Sequence, residues 1–382
     1  ITGGLFADCT GDGALGAIAG ADFDQTDTGH MGASNLWNIQ CLCEDEDPLS
    51  SELAAACEEA TFPRCPWAVD LSERPFPGRT SGAKEPRPGT SPISLGNWFW
   101  ENGFDRDPIN DMERIRDQNF RAMYGAWDAI KNVEKRYPAH RLNWVAYIAG
   151  KRESRRLLGD VVLTAEDLRD GRVFEDGCFP CTWGIDTHHP HPAYADGHDG
   201  EEFIADYTRG KGYEYDGPYW VPYRCLYSRN ISNLFMAGRN ISNSHVAFTS
   251  TRVMATCACT GQAVGTAAAF CVEHDVDPAT LRADRSLFDR YRQRLLRDDQ
   301  TIRGVVNEDP DDLARQARIT SSSIHATSRP EHVVNGWPRD MPGSWDHRWG
   351  AEIGKDGIAG EDPPWIALAW DRSTPITTLQ IT

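Results

Sequence analysis

Residues 234–272 read LFMAGRNISNSHVAFTSTRVMATCACTGQAVGTAAAFCV, and they limit what this chain can fold into more than any other stretch. A short apolar strand, Leu234 to Ala237, stops at Gly238. A polar loop carrying His245 and Arg252 follows. The twenty residues from Val253 to Val272 then hold no charge and are mostly Ala, Gly, Thr and Cys. Three structures accommodate such a stretch. A membrane span needs roughly 20 apolar residues, and Gly261 and Gly265 form the G-x-x-x-G spacing of packed membrane helices. Against it stand Thr256, Thr260, Gln262 and Thr266 and the absence of Leu and Ile, which make transfer into lipid unfavourable. The second structure is a buried core helix. The third is a helix whose N-terminus faces a cofactor, where unpaired N–H groups attract negative charge and glycines let backbone approach. A glycine inside a helix costs about 1 kcal/mol relative to alanine, so it needs a packing reason. The polar loop directly before the helix favours the third structure.

The run FMAGRNISNSH (235–245), then STRVMATC (250–257), then GQAVGTAAA (261–269) closely resembles the C-terminal flavin-binding segment of FAD-dependent oxidoreductases of the glutathione-reductase-like superfamily. The resemblance implies an FAD cofactor, with Gly238, Arg239, Asn240 and Arg252 beside it and Gly261, Gln262 and Gly265 on the helix. Arg239 stands where many such flavoproteins carry an acid, and it would address pyrophosphate. Arg252 and the helix N-terminus would supply positive potential to the reduced flavin.

A second glycine-rich element opens the chain. Leu5 to Ala21 reads as strand, tight turn and short helix, and Gly11, Gly13 and Gly16 literally satisfy G-x-G-x-x-G. The apolar helix lasts only about two turns, however, and no second strand ending in a ribose-binding acid follows. In the resembled family this is the later A-T-G-D-G element, here C-T-G-D-G, which implies that Thr10, Gly11, Asp12 and Gly13 meet the cofactor. The true dinucleotide fingerprint is then expected upstream, and a chain opening on Ile1 reads as a fragment.

The chain has 382 residues and a formal charge of −18. Nucleic acid and anionic membrane would be repelled and are not expected as partners. A small organic or carbohydrate-related substrate is. The chain reads as soluble, with cytoplasm and export both open. The eleven cysteines include Cys178-x-x-Cys181, which has metal or redox spacing but no second such pair. Cys41, Cys43, Cys57 and Cys65 match no iron–sulfur run, so no metal or cluster is expected, and a disulfide among these four is the competing reading. The cysteines of the small-residue helix are most simply buried apolar groups.

The organisation follows from these elements. The fold class is α/β (α+β): a partial FAD/NAD(P)-binding-like domain (1–21 and 219–304), an inserted mixed substrate or cap domain (22–218), a linker (305–313) and the start of a β-sandwich (314–382). Helical spacing of apolar residues predicts a helix within 110–137 ending before Pro138. A second helix is expected over 144–158, and 277–302 reads as amphipathic helix. Residues 75–92 read as an exposed loop. Asn230-Ile231-Ser232-Asn233 recurs as Asn240-Ile241-Ser242-Asn243, which is turn chemistry. Beyond 313, strands are expected at 317–320, 333–336, around Trp345, at 364–368 and at 376–381. Their spacing resembles the first half of a discoidin or galactose-binding-like sandwich.

Three histidines are candidates for chemistry. His188 and His189 lie in WGIDTHHPHP beside Asp186, where the resemblance implies a substrate-facing loop. Either is placed to serve as general acid or base with Asp186 orienting it. His245, on the loop before the cofactor helix, is their rival. The function expected is hydride transfer between an organic substrate and flavin. The alternatives are a non-catalytic carbohydrate-binding protein on a degenerate flavoprotein scaffold, or a polysaccharide-degrading enzyme.

Overall fold

A computed structural model of the chain describes residues 2–42, 60–73, 100–195, 197–198, 200–208, 217–341, 346–352 and 363–381. The first stretch carries strand β1 (Phe6–Asp8), helix α1 (Ala14–Ala19), β2 (Phe23–Asp24), β3 (Ala33–Ser34) and β4 (Trp37–Cys41). Then come β5 (Glu101–Asn102), α2 (Met112–Asp128), β6 (His140–Val145), β7 (Gly150–Lys151), β8 (Arg156–Leu157), α3 (Ala165–Arg169) and β9 (Gly177–Cys181). They are followed by β10 (Thr187–Pro190), α4 (Pro192–Ala195), β11 (Ala205–Thr208), β12 (Tyr219–Pro222) and β13 (Leu234–Met236). The remainder holds α5 (His245–Thr251), α6 (Met254–His274), α7 (Pro278–Ala283), α8 (Arg285–Arg297), β14 (Arg318–Ser321) and β15 (Ile366–Ala369). The chain forms two units: Ile1–Phe23, Arg156–Ile185 and Glu214–Thr382 make the first, and Asp24–Arg155 with Asp186–Tyr213 the second. Residues 156–185, read from the sequence as part of the substrate domain, cluster with the first unit, and so do the residues beyond 313.

In the first unit β1 and β13 pair in parallel, and β9 pairs antiparallel with β12. Leu157, Leu234 and Met236 are buried together, with Phe6, Leu15 and Ile231 packed against them. Gly16 of α1 exists because Leu157 lies there: a Cβ would stand 2.6 Å from its Cδ1. Helix α6 packs on β9, β13, α7 and α8. It buries Thr256, Thr260, Ala263, Val264, Ala267 and Cys271. Among the described residues it is the one helix long and apolar enough to cross a membrane by length and composition. Its opposite stripe, including Met254, Ala258, Gly261, Gly265 and Val272, is exposed.

The second unit is built on α2. Its buried face includes Ile115, Asn119, Ala122, Met123, Ala126 and Trp127, the i, i+4, i+7 spacing of one helical stripe. It meets Trp37, Trp100, Leu71 and Phe203 in one core, where Trp37 stands edge-on to Trp100 and Trp127. The helix continues into a π turn, Ala129–Val133, whose buried Lys131 donates to the carbonyls of Tyr137 and Pro138. β3 lies between β5 and β7, and β4 pairs with β6.

Several sequence expectations change. The helix expected over 144–158 is instead the end of β6, a turn, and the short strands β7 and β8. Pairing of Trp144 with Asn38 and of Val145 with Trp37 outweighs local helical preference. The polar loop expected before α6 is itself helical from His245 to Thr251, where Ser244 accepts from Ala247 N. The amphipathic stretch after α6 is two helices, because Asp284 leaves α7 in extended backbone and caps Leu287 N of α8. Toward the end of the chain β14 and β15 pair antiparallel. The strand expected at 333–336 is a 3-10 turn, Pro330–Val334, started by proline, and 376–381 has no regular structure. Trp345, the 75–92 loop, Cys43 and Cys57 lie outside the described residues. Cys65 is a free thiol.

Candidate functional site

The first constellation lies where β1 and β13 end. Asp8 stands opposite Met236 in the parallel pair, so both chains leave the sheet at the same edge, the edge where ligands bind in open parallel sheets. Each departs through glycines with positive φ: Gly11 at 73° and Gly13 at 62° after β1, and Gly238 at 105° after β13. A side chain is strained in such backbone. Asp8, fully buried, organises the first turn. Its carboxylate accepts from Thr10 N at 3.0 Å, Thr10 Oγ1 at 2.7 Å and Gly16 N at 2.7 Å. Its carbonyl accepts from Ala237 N at 2.9 Å and from Asn240 Nδ2 at 3.1 Å. Arg239 then crosses to the first turn and pairs with Asp12. A Cβ on Gly11 would stand 3.1 Å from the Arg239 Nε, so the guanidinium lies against bare backbone. Thr10, Gly11, Asp12, Gly13, Gly238, Arg239 and Asn240, expected at one site, are brought together.

Three polar atoms here are conspicuous. Asn240 Oδ1, Ser242 Oγ and Asn243 Oδ1 are buried and have no hydrogen-bond partner among the described residues. Asn240 and Asn243 spend their amide N–H groups on Asp8 O and Thr251 Oγ1, which leaves acceptor oxygens. Arg252 closes α5 as its C-terminal cap. Two residues on, α6 begins at Met254 without a side-chain cap and without an acid in its first turn. The other expected cofactor residues sit elsewhere. Gly261 and Gly265 lie on the exposed stripe, with nothing within 4 Å of an added Cβ. Gln262 donates to Asp298 O and accepts from Gln300 Nε2, and so ties α6 to the end of α8.

The second constellation belongs to the second unit and surrounds His188 on β10. His188 Nδ1 is 2.8 Å from Glu101 Oε2, and its Nε2 is 3.7 Å from Asp186 Oδ2. Glu101 is wholly buried and also accepts from Arg152 Nε at 2.9 Å, while Arg152 Nη2 donates to Ser34 Oγ at 2.7 Å. Burial works against a charged imidazole, but the carboxylates of Asp186 and Glu101 outweigh it and hold the proton affinity of His188 above that of an ordinary histidine. Gly32 makes room for this arrangement, since a Cβ would lie 2.5 Å from Asn102 O and 2.9 Å from Glu101 Cγ.

His189, the next residue, has Nδ1 3.2 Å from the Pro190 carbonyl and carries no carboxylate partner comparable to Glu101 among the described residues. His245 is the first residue of α5. Sequence reasoning missed Glu101 and Arg152: they lie 87 and 36 residues from His188, in segments without motif character. The two thiols of Cys178-x-x-Cys181 are separated by the strand itself. Three residues apart on β9, they point to opposite faces, Cys178 toward Val221 O at 3.3 Å and Cys181 toward Thr256 Oγ1 at 3.3 Å. No group of three or more His, Cys, Asp or Glu is arranged for a metal among the described residues.

Comparison with known proteins adds the family. Searches of curated proteins and of solved structures return no match to the chain. A protein-family model described as FAD dependent oxidoreductase matches residues 1–295, which span both glycine turns, His188 with its carboxylates, and α6. The chain belongs to the FAD dependent oxidoreductase family.

Proposed function

We propose that the protein transfers hydride between an organic substrate and FAD, the first unit carrying the cofactor residues and the second the substrate-handling ones. The observation that carries the reading is the pair of glycine turns tied by Arg239 and Asp12 at the end of the parallel strands. The residues present fit the cofactor on an independent count. Buried acceptors without partners among the described residues, Asn240 Oδ1, Ser242 Oγ and Asn243 Oδ1, suit a ligand rich in hydroxyl donors such as the ribityl chain, since leaving each unsatisfied costs about 1–3 kcal/mol. Thr10, Gly11, Gly13 and Gly238 would offer backbone to close approach. Arg239 would meet the anionic end, and Arg252 with the uncapped start of α6 would face developing negative charge. Bound FAD supplies the two-electron acceptor. His188 would exchange the proton that accompanies substrate oxidation, with His189 and His245 as weaker candidates for that role.

The test is spectroscopic. The protein expressed from its complete reading frame and refolded with excess FAD should retain flavin absorption after gel filtration. A colourless protein sinks the reading. Arg239→Ala and Asp12→Asn should each weaken FAD binding by roughly tenfold, the worth of one charge-assisted hydrogen bond. The double variant should be little worse than either, because one pair is being broken twice.

A further inference from the structure

The cluster around His188 has an asymmetry that the sequence did not show. One ring nitrogen is held at hydrogen-bond distance by a wholly buried carboxylate, Glu101, at 2.8 Å. The other faces the Asp186 carboxylate at 3.7 Å, beyond direct hydrogen bonding. The same Glu101 Oε2 also accepts from Arg152 Nε at 2.9 Å, and Arg152 is held in turn by Ser34. Ser34 and Glu101 are paired neighbours on β3 and β5. The carboxylate therefore cannot swing away from the ring without breaking its ion pair with Arg152. A carboxylate accepts only, so Nδ1 must be the nitrogen that carries hydrogen whenever the ring is neutral.

We propose that Glu101 is a positioning residue: it pins the Nδ1–H form of His188, so that Nε2, on the Asp186 side, is the nitrogen that exchanges a proton with a protic substrate group such as a hydroxyl. This rests on the reading of His188 as the acid–base group. Among the described residues, the charged and titratable groups facing the ring are Glu101 from β5, Arg152 after β7 and Asp186 before β10, while Tyr207 is its cross-strand neighbour on β11.

Nitrogen-15 NMR of histidine-labelled full-length protein tests this without reference to flavin, with His188→Gln identifying the resonances. The expected result is a neutral His188 in the Nδ1–H form at high pH and a titration midpoint above that of the exposed histidines. In Glu101→Gln the midpoint should fall, and Glu101→Asp should restore part of the shift. An Nε2–H form in the unmodified protein overturns the proposal even where the Glu101 variants do not fold. A folded Glu101→Gln protein with unchanged tautomer and midpoint overturns it as well. The underlying reading fails separately: unimpaired substrate reduction of flavin in His188→Gln would remove His188 from the chemistry while leaving the tautomer result intact.

Discussion

His188 shows what two neighbouring carboxylates, Asp186 and Glu101, do to a buried imidazole. Because the proton affinity of His188 is raised in the folded protein, the folded state binds this proton more tightly than the unfolded chain does. The stabilisation is fully present below the unfolded pKa of about 6.5. It is lost as pH rises through the higher folded value. Denaturant midpoints measured across that window should fall with rising pH in the unmodified protein and lose this slope in His188→Gln. An identical slope in both would assign it to other groups. Gly32 belongs to the same scale. Gly32→Ala would push against Asn102 O and Glu101 Cγ, displacing the carboxylate from His188. The expected outcomes are an overpacking cost of about 1–3 kcal/mol and a lowered His188 titration midpoint. Nothing in the sequence around Glu101, WFWENGF, marks it as a partner of a histidine 87 residues away. Its role comes from the pairing of Trp100 with Ile204 and of β10 with β11, which local sequence does not encode.

Among the elements, α2 and α6 were both legible and for opposite reasons. α2 announced itself by periodicity, and its buried stripe follows the expected spacing through Ile115, Met123 and Trp127. What periodicity left out is how closely other backbone approaches. Gly125 faces the segment before it in sequence, and a Cβ there would sit 1.9 Å from the Val69 carbonyl oxygen. Gly125→Ala should therefore destabilise the protein far more than the gain in helix propensity, under about 1 kcal/mol, can offset. A thermal melt with an unchanged or raised midpoint would refute the contact. Trp127→Ala, in the centre of the tryptophan cluster, should cost about 3–5 kcal/mol, read from urea unfolding. α6 announced itself by the absence of charge. The helix before it, α5, stayed hidden because its residues are Ser, Thr and Phe of modest helix propensity. It forms through the Ser244 cap and the burial of Ala247 and Phe248.

For the whole molecule, charge decides what the chain avoids. At −18 it should remain in the supernatant when mixed with phosphatidylserine vesicles at low salt, where like-charge repulsion is least screened. Sedimentation with the vesicles would reopen the membrane reading of α6, the one helix among the described residues that length and composition allow to span a bilayer.

The amino-acid sequence by itself determined the family, through the gap-free match of 235–269 and the C-T-G-D-G turn. It determined too the strand–turn–helix character of both glycine elements, because glycine turns, apolar runs and missing charges are local properties. Only the tertiary structure decided which of those residues meet. The Arg239–Asp12 pair spans 227 positions, the Glu101–His188 pair spans 87, and Gln262 turns from a motif residue into a tie to α8. Contacts of that kind depend on which faces of distant elements are buried against each other, and burial is a property of the packed chain and of no segment alone.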